Sequence, residues 1–448
     1  MNISTDVLIV GTGASALYCA LNLREDLNIL MVTKGSLTEC NSYLAQGGIS
    51  VALDKNDIPA FIEDTMKAGN YKNHKRSVEI LCNESIENIN TLVELGIPFN
   101  KIGSNLCRTK EGAHSKSRIV HCKDSTGKYL VDTLLNIAKK KKNITLMEHA
   151  HAIDLITKDN VCKGTVIVQG KKQLNVFCKT VILATGGIGG LFKNSTNERS
   201  ITGDGLFMAL KNNVELKDLS YIQFHPTALY KKDYNSKRFL ISESVRGEGG
   251  KLYNFKGETF IDELLPRDIV SKAIQKEIEL SGVPYVYLDI SHLPSDYIKN
   301  RFPSIYRECI LQGIDITKDP IPVSPAQHYF MGGIKVDEFS ESSMKNLYAI
   351  GEASCTGVHG NNRLASNSLL EGLVFSERAA ININSKIEDI NIVPIKVQAL
   401  YSSLENIEAF QRKIIIQELK RRNPLLNDEL FSYRQHNIKC SARGYSLV

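Results

Sequence analysis

The stretch Asp6-Val-Leu-Ile-Val-Gly-Thr-Gly-Ala-Ser-Ala16 decides the fold of this chain. Its unbroken apolar run, Val7 to Val10, reads as a buried strand. Gly11 and Gly13 then permit a tight turn, and the pattern from Ala16 to Leu23 reads as a helix. Strand, glycine turn and helix in that order bring backbone N–H groups to a pyrophosphate at the helix start. The third glycine of the dinucleotide fingerprint is Ala16, an accepted variant. The next strand, Asn28 to Thr33, should end on an acid for a ribose hydroxyl, but Lys34 follows it. A ribose held elsewhere, for instance by Glu352, accounts for that departure.

Two later segments repeat the strand-into-glycine texture. Thr180-Val-Ile-Leu-Ala184 runs into Thr-Gly-Gly187, and Leu347-Tyr-Ala-Ile350 into Gly351-Glu352. After the second comes a polar loop with one cation, Arg363. Ala-Ser-Asn-Ser368 then precedes the apolar helix pattern from Leu369, so capping residues are expected there. Strands are also expected at 144–156, 163–169 and 173–178. Helices are expected at 59–69, 77–95, 128–141 and roughly 396–421, with another opening at Asp204. Doubled glycines in Asn41-Ser-Tyr-Leu-Ala-Gln-Gly-Gly48 suit close backbone approach to a flat ring. The texture changes near 219. The expected organisation is therefore α/β, with a doubly wound nucleotide-binding domain (1–218 and 330–390) interrupted by an α+β capping domain (219–329). A short helical region (391–448) follows.

Composition narrows the function. At 448 residues, 42% hydrophobic and 23% charged, the chain has an ordinary globular balance, and a net charge of +6 is slight for its size. Neither nucleic acid nor a membrane is implied as a partner. Lys139 to Lys142 suits a helix carboxy-terminus. Ten cysteines fall without a C-x-x-C pair or metal-ligand spacing, which suits reduced thiols and argues against a disulfide reductase. No apolar stretch approaches the roughly 20 residues of a membrane span. A soluble cytoplasmic protein is expected.

Several motifs in order carry a family resemblance: VLIVGTGASA, YLAQGGI, ATGG, TGDG, QFHPTAL, RGEGG, LPRDIV, PAQHYFMGGI, LYAIGEAS and HGNNRLASNSLLEG. Over roughly residues 5–385 the chain resembles the succinate dehydrogenase/fumarate reductase flavoproteins. The resemblance implies FAD, with Gly11, Thr12, Gly13, Ala14 and Ser15 at its pyrophosphate and Lys34 on its ribitol side. Asn41, Ser42, Tyr43, Leu44, Ala45, Gln46, Gly47 and Gly48 would meet its ring, and Asp204, Glu352, Ser368 and Leu369 would complete the site. Respiratory members resemble HTxAAQGG here, with a histidine bonded covalently to FAD. Asn41 takes that place, so non-covalent FAD is expected.

The same resemblance implies substrate residues. A C4-dicarboxylate needs a cation at each end, and guanidinium grips carboxylate in a planar fork. Arg267 and Arg363 fit that need, with His225, His328 and Ser242 as further donors. Glu111 lies in KEGAHS, which resembles the EGGHS of members that oxidise L-aspartate, and would hold the α-ammonium. Arg267 would handle the proton, as a relay, because a guanidine is a poor base. The implied reaction yields iminoaspartate, with oxygen or fumarate reoxidising the flavin. The product would feed quinolinate synthesis for NAD, with quinolinate synthase as a pathway partner. A soluble fumarate reductase is the alternative enzyme, opposed by Glu111. An RNA-binding protein on a flavin fold is the alternative outside enzymology, opposed by the mild charge.

Overall fold

A computed structural model describes residues 1–233, 236–399, 402–426 and 428–431. Strand β1 (Asn2–Val10) leads through the glycine turn into helix α1 (Ala14–Asn22). Strand β2 (Ile29–Val32) pairs parallel with β1, and β3 (Ile144–Met147) pairs parallel with β2. A meander of β4 (Ala150–Lys158), β5 (Val161–Gln169) and β6 (Lys172–Leu183) returns so that β6 lies parallel to β1 on its other side. Alternate residues of β1 serve different layers. Val7 and Ile9 face an apolar cluster containing Leu17 of α1, whereas Leu8 and Val10 face one containing Phe207 and Leu347. That two-sided burial is why Val7–Val10 is continuously apolar rather than alternating.

Gly11 follows with φ +123°, and a Cβ there would stand 2.2 Å from the carbonyl oxygen of Ala184 at the end of β6. The two glycine-ended strands expected from sequence are thus pressed together, which excludes any side chain at Gly11. One expectation is corrected. The expected strands at 173–178 and 180–184 are not separate: one continuous β6 runs through both and ends at Leu183, just before Ala184. Lys179, which reads as a break, projects from β6 to pair with Asp6 Oδ1 at 3.1 Å.

Helices α2 (Ile58–Ala68), α3 (Lys75–Glu94), α4 (Thr126–Ala138) and α5 (Asp204–Lys211) cover this sheet. The chain then builds a second, antiparallel sheet. Strand β7 (Ile222–Leu229) precedes helix α6 (Glu243–Gly247), and β8 (Lys251–Tyr253) precedes α7 (Arg267–Ser281). After these come β9 (Val286–Asp289), α8 (Ser295–Arg301), α9 (Pro303–Leu311) and β10 (Ile321–Phe330). The strand order is β7-β10-β9-β8. This sheet has its own apolar cluster, including Val245, Val270, Ile274, Leu288 and Phe302.

The chain re-enters the first sheet at β11 (Leu347–Ala349), parallel to β6, and continues into α10 (Asn367–Lys386), which packs on α1. The last described helix, α11 (Leu404–Arg422), begins later than the expected 396. Ser403 caps it by accepting the N–H of Asn406 at 3.4 Å, which sets its start. Ile415 and Leu419 of α11 are fully buried in the cluster that holds Phe207. Residues 432–448 of the expected carboxy-terminal region lie outside the described residues. Among the described residues, no helix is long and apolar enough to cross a membrane.

Candidate active site

Two cavities meet at the carboxyl ends of β1, β6 and β11, where ligands bind in open α/β sheets. The first, of about 110 Å³, is lined by Gly11, Thr12, Gly13, Ser15, Lys34, Gly35, Asp204 and Gly351. The second, of about 210 Å³, is lined by the 44–48 loop, Ser368 and Leu369 on one side and by β7, α6 and α7 residues on the other. Ser15, Asn41, Ser42, Gly351 and Glu352 line both. Together they form one trough that starts at the α1 amino-terminus and fits an extended dinucleotide. The doubled glycines keep its wall thin: a Cβ at Gly48 would stand 2.3 Å from the Val120 carbonyl oxygen.

Of the expected cofactor residues, the structure gathers nearly all around this trough. Two side chains stand apart. Ala14 is buried in the core beside Leu17, and Tyr43 packs beneath the ammonium of Lys128, so neither lines the trough. Lys34 donates to Asp204 at 2.6 Å and to Thr202 Oγ at 3.2 Å. Burial opposes ionisation of Asp204, but Lys34 outweighs it and holds the carboxyl below its usual range. Lys34 thus supplies a cation where the fingerprint has an acid. Glu352, at the junction of the cavities, accepts the Phe330 N–H at 2.9 Å and the Asn41 amide at 3.4 Å. Burial outweighs these donors and lifts its pKa from 4.5 to about 7. Asn41 also ties the loop down by accepting the Glu198 N–H at 2.9 Å.

In the larger cavity Arg267, Arg363, His225, His328, Glu111 and Ser242 come together from six separate stretches of chain. The Arg363 guanidinium lies 4.7 Å over the Tyr329 ring, and its buried Nε has no partner among the described residues. Burial and then Arg267 depress its pKa to about 9, so an anion that neutralises both arginines is strongly favoured. Burial, with Arg267 adding to it, also keeps both histidines neutral, well below the ordinary imidazole range. His225 Nδ1 accepts the Thr227 N–H at 3.2 Å, which puts the ring proton on Nε2. His328 Nδ1 meets Thr196 Oγ at 2.7 Å. Ser242 lines the cavity, but its hydroxyl oxygen caps α6 and its proton points to Ser244 Oγ at 3.3 Å.

Sequence reading missed four residues here. Glu243, fully buried, accepts Arg267 Nε at 2.9 Å and also pairs with Arg246 through the same oxygen. Burial opposes its charge, yet the two arginines outweigh burial and hold it below the usual carboxylate range. The Glu243–Arg246 spacing of i,i+3 was visible but is common on any helix. Ser366 was missed because a serine before an apolar helix reads as a cap, and Ser244 because a lone serine on a short helix carries no signal. Ser366 is the N-cap of α10, yet it has φ +62° and does not cap; its hydroxyl donates to Glu111 Oε2 at 2.6 Å. Ser244 donates to Glu111 Oε1 at 2.9 Å. Glu111 is buried, and burial raises its pKa despite the Ser366 donor.

Residues 6–369 match the FAD binding domain family. An L-aspartate oxidase of Clostridium perfringens is 55% identical over 425 residues, covering 95% of this chain and 96% of that protein. The L-aspartate oxidase of Clostridium acetobutylicum is 54% identical over 95% of this chain and 100% of its own length. The chain belongs to the L-aspartate oxidase family of FAD-binding flavoproteins. As a member of this family it is an FAD-dependent oxidoreductase. Its fold is shared with a solved E. coli quinol fumarate reductase at a TM-score of 0.82 and 28% identity, covering 94% of this chain and 75% of that one. Not all of the family has the same length: this chain covers only 62% of an L-aspartate oxidase of Nicotiana tabacum that is 39% identical.

Proposed function

We propose that the enzyme oxidises L-aspartate to iminoaspartate. The observation that carries this reading is Glu111, a buried carboxylate without a cation inside ion-pair distance among the described residues. It faces the same cavity as Arg267 and Arg363. Two cations and one anion match two carboxylates and one ammonium. A dicarboxylate without the amine would leave Glu111 buried and unpaired, at a cost of several kcal/mol on the scale of about 3–5 for a broken buried pair.

Residues 219–329 serve in this proposal as the cap that closes the substrate against the nucleotide-binding domain. Arg267 and Arg363 orient the two carboxylates, and the neutral histidines donate to their remaining lone pairs. Glu111 receives the α-ammonium and is placed to take the proton that leaves as the C=N bond forms, its raised pKa favouring that role. The Arg267–Glu243–Arg246 chain offers a proton route out of the closed cavity. Bound FAD, held without a covalent link by the Gly11–Ser15 turn, Lys34, the 41–48 loop and Glu352, supplies the two-electron acceptor for the Cα hydrogen. Oxygen or fumarate would serve as the final electron acceptor. Fumarate meets Arg267 and Arg363 with the same two carboxylates, but it binds less tightly than aspartate because it leaves Glu111 without a cation. Iminoaspartate then enters quinolinate synthesis for NAD in the cytoplasm, with quinolinate synthase as the consuming enzyme.

Anaerobic mixing of the yellow protein with L-aspartate or with succinate tests the reading. Aspartate should bleach the flavin absorbance. Bleaching by succinate and not by aspartate would falsify it.

A further inference from the structure

The two hydroxyls on Glu111 come from chain segments with separate duties, and both are held in place by backbone. Ser366 adopts the left-handed region, which a residue with a Cβ rarely occupies unless its surroundings impose it. The imposing contacts are visible: the Ser366 carbonyl accepts both the N–H and the hydroxyl of Ser50, each at 3.2 Å. In this conformation its hydroxyl does not cap α10 but reaches Glu111 Oε2 at 2.6 Å. On the other oxygen, donors run in one direction. The Ser244 N–H donates to Ser242 Oγ at 3.2 Å, Ser242 donates to Ser244 Oγ at 3.3 Å, and Ser244 donates to Glu111 Oε1 at 2.9 Å. An ionised carboxylate can only accept, so Glu111 sets the sense of the whole chain.

The arrangement separates two buried carboxylates that sit close enough to repel. Glu243, the neighbour of Ser244 on α6, takes two arginines, while Glu111 takes two hydroxyls. Each Glu111 oxygen keeps a lone pair for an incoming cation, and among the described residues no arginine or lysine pairs with the carboxyl. We infer that Ser366 and Ser244 are positioning residues that hold Glu111 as an anion toward the substrate ammonium, and so set the preference for an α-amino dicarboxylate over the plain dicarboxylate. This rests on the aspartate reading above and extends it to the residues that enforce it.

The test uses the FAD-loaded protein and its Ser366→Gly and Ser244→Ala variants. Glycine accepts the left-handed backbone without strain, so Ser366→Gly removes the hydroxyl while sparing the turn. Three quantities are read: KM for L-aspartate, succinate affinity from its perturbation of the flavin spectrum, and the pH dependence of kcat/KM. The ratio of aspartate KM to succinate Kd should rise roughly tenfold in each variant, about one lost hydrogen bond to a charged group. The acidic limb of kcat/KM should move to higher pH, because lost donors disfavour the carboxylate. Equal weakening of aspartate and succinate, or an unmoved acidic limb, overturns the inference and leaves the aspartate reading intact. A parent protein that succinate reduces and aspartate does not overturns both.

Discussion

Arg267 and Arg246 share one oxygen of Glu243, with Arg267 Nε at 2.9 Å, so a single buried carboxylate orients two buried guanidinium groups. Arg267 faces the cavity that admits a dianion, whereas Arg246 is buried behind it and donates to the Glu263 carbonyl, and Glu243 turns both before substrate arrives. Replacing Glu243 by Gln keeps the shape but removes the charge and the ability to carry a proton. The expected result is a fall in kcat on the order of 10² or more. The thermal midpoint should also fall, because two buried cations lose their counterion. A variant with unchanged kcat would remove Glu243 from the proton route.

Arg363 makes its own prediction. It stacks on Tyr329, whose hydroxyl donates to Glu371 at 2.9 Å, while His359 meets the same Glu371 oxygen at 2.8 Å. That buried network fixes the plane in which Arg363 presents its fork. Arg363→Leu should weaken L-aspartate and fumarate together, by about 2–5 kcal/mol, the range for breaking a buried charge pair at an interface. Arg363→Lys should recover little of this, since an ammonium lacks the planar fork and the stacking face. Steady-state KM values for both ligands decide it; full recovery by lysine would show that charge alone matters.

How much of this was legible beforehand differs by residue. Gly11 was readable because only a glycine tolerates φ +123° with the Ala184 carbonyl 2.2 Å from a would-be Cβ. Arg267, Arg363 and Glu111 stood in motifs, and the structure gathers them in one cavity. Glu243 was not legible, because its partner Arg267 lies 24 residues away and contact across that separation leaves no periodic trace. Ser366 was misread as a cap for a definite reason: serine before an apolar helix usually caps, and only its tertiary contacts with Ser50 and Glu111 turn it away. The continuous β6 hid behind Lys179 for the same kind of reason, its charge being met by Asp6 on the neighbouring strand.

Glu352 predicts a pH dependence of the FAD-free protein. Its folded pKa is raised from 4.5 to about 7 by burial, so between those values the unfolded chain releases a proton that the folded chain retains. Unfolding then gains with rising pH, and stability falls by at most about 1.4 kcal/mol per pH unit across that window. Thermal unfolding of the FAD-free protein between pH 5 and 7 should therefore show a declining midpoint. Glu352→Gln should flatten the decline. Parallel slopes in the two proteins would mean that Glu352 is not the titrating group.

Asn41 predicts the manner of FAD attachment. Its amide donates to Glu352 and its carbonyl oxygen accepts the Glu198 N–H, so both ends are engaged in holding the 41–48 loop. A carboxamide offers no nucleophilic ring nitrogen for a flavin linkage. Acid precipitation should leave the yellow colour in the supernatant and a colourless pellet. Colour retained in the pellet would mean a covalent link at some other residue.

Asp124, finally, joins the two sheets' surroundings through helix-capping chemistry borrowed across the chain. It is buried in the loop before α4, and its Oδ2 accepts the N–H of Ser304 at 2.7 Å and of Ile305 at 3.0 Å, in the first turn of α9. Those N–H groups have no partner within their own helix, and Phe302 at the N-cap makes no side-chain hydrogen bond to supply one. Arg301 reinforces the junction by donating to the Lys123 carbonyl at 2.7 Å while pairing with Glu248 at 2.6 Å. A cap of this kind is worth about 1–2 kcal/mol. Asp124→Ala should therefore lower the thermal midpoint and speed hydrogen exchange at Ser304 and Ile305 by roughly tenfold, since about 1.4 kcal/mol is a factor of ten in an opening equilibrium. Because α9 belongs with the cluster around Val270 on the helix that carries Arg267, the loosening should also raise KM for L-aspartate more than it lowers kcat. Faster exchange without any change in KM would confine Asp124 to local capping of α9.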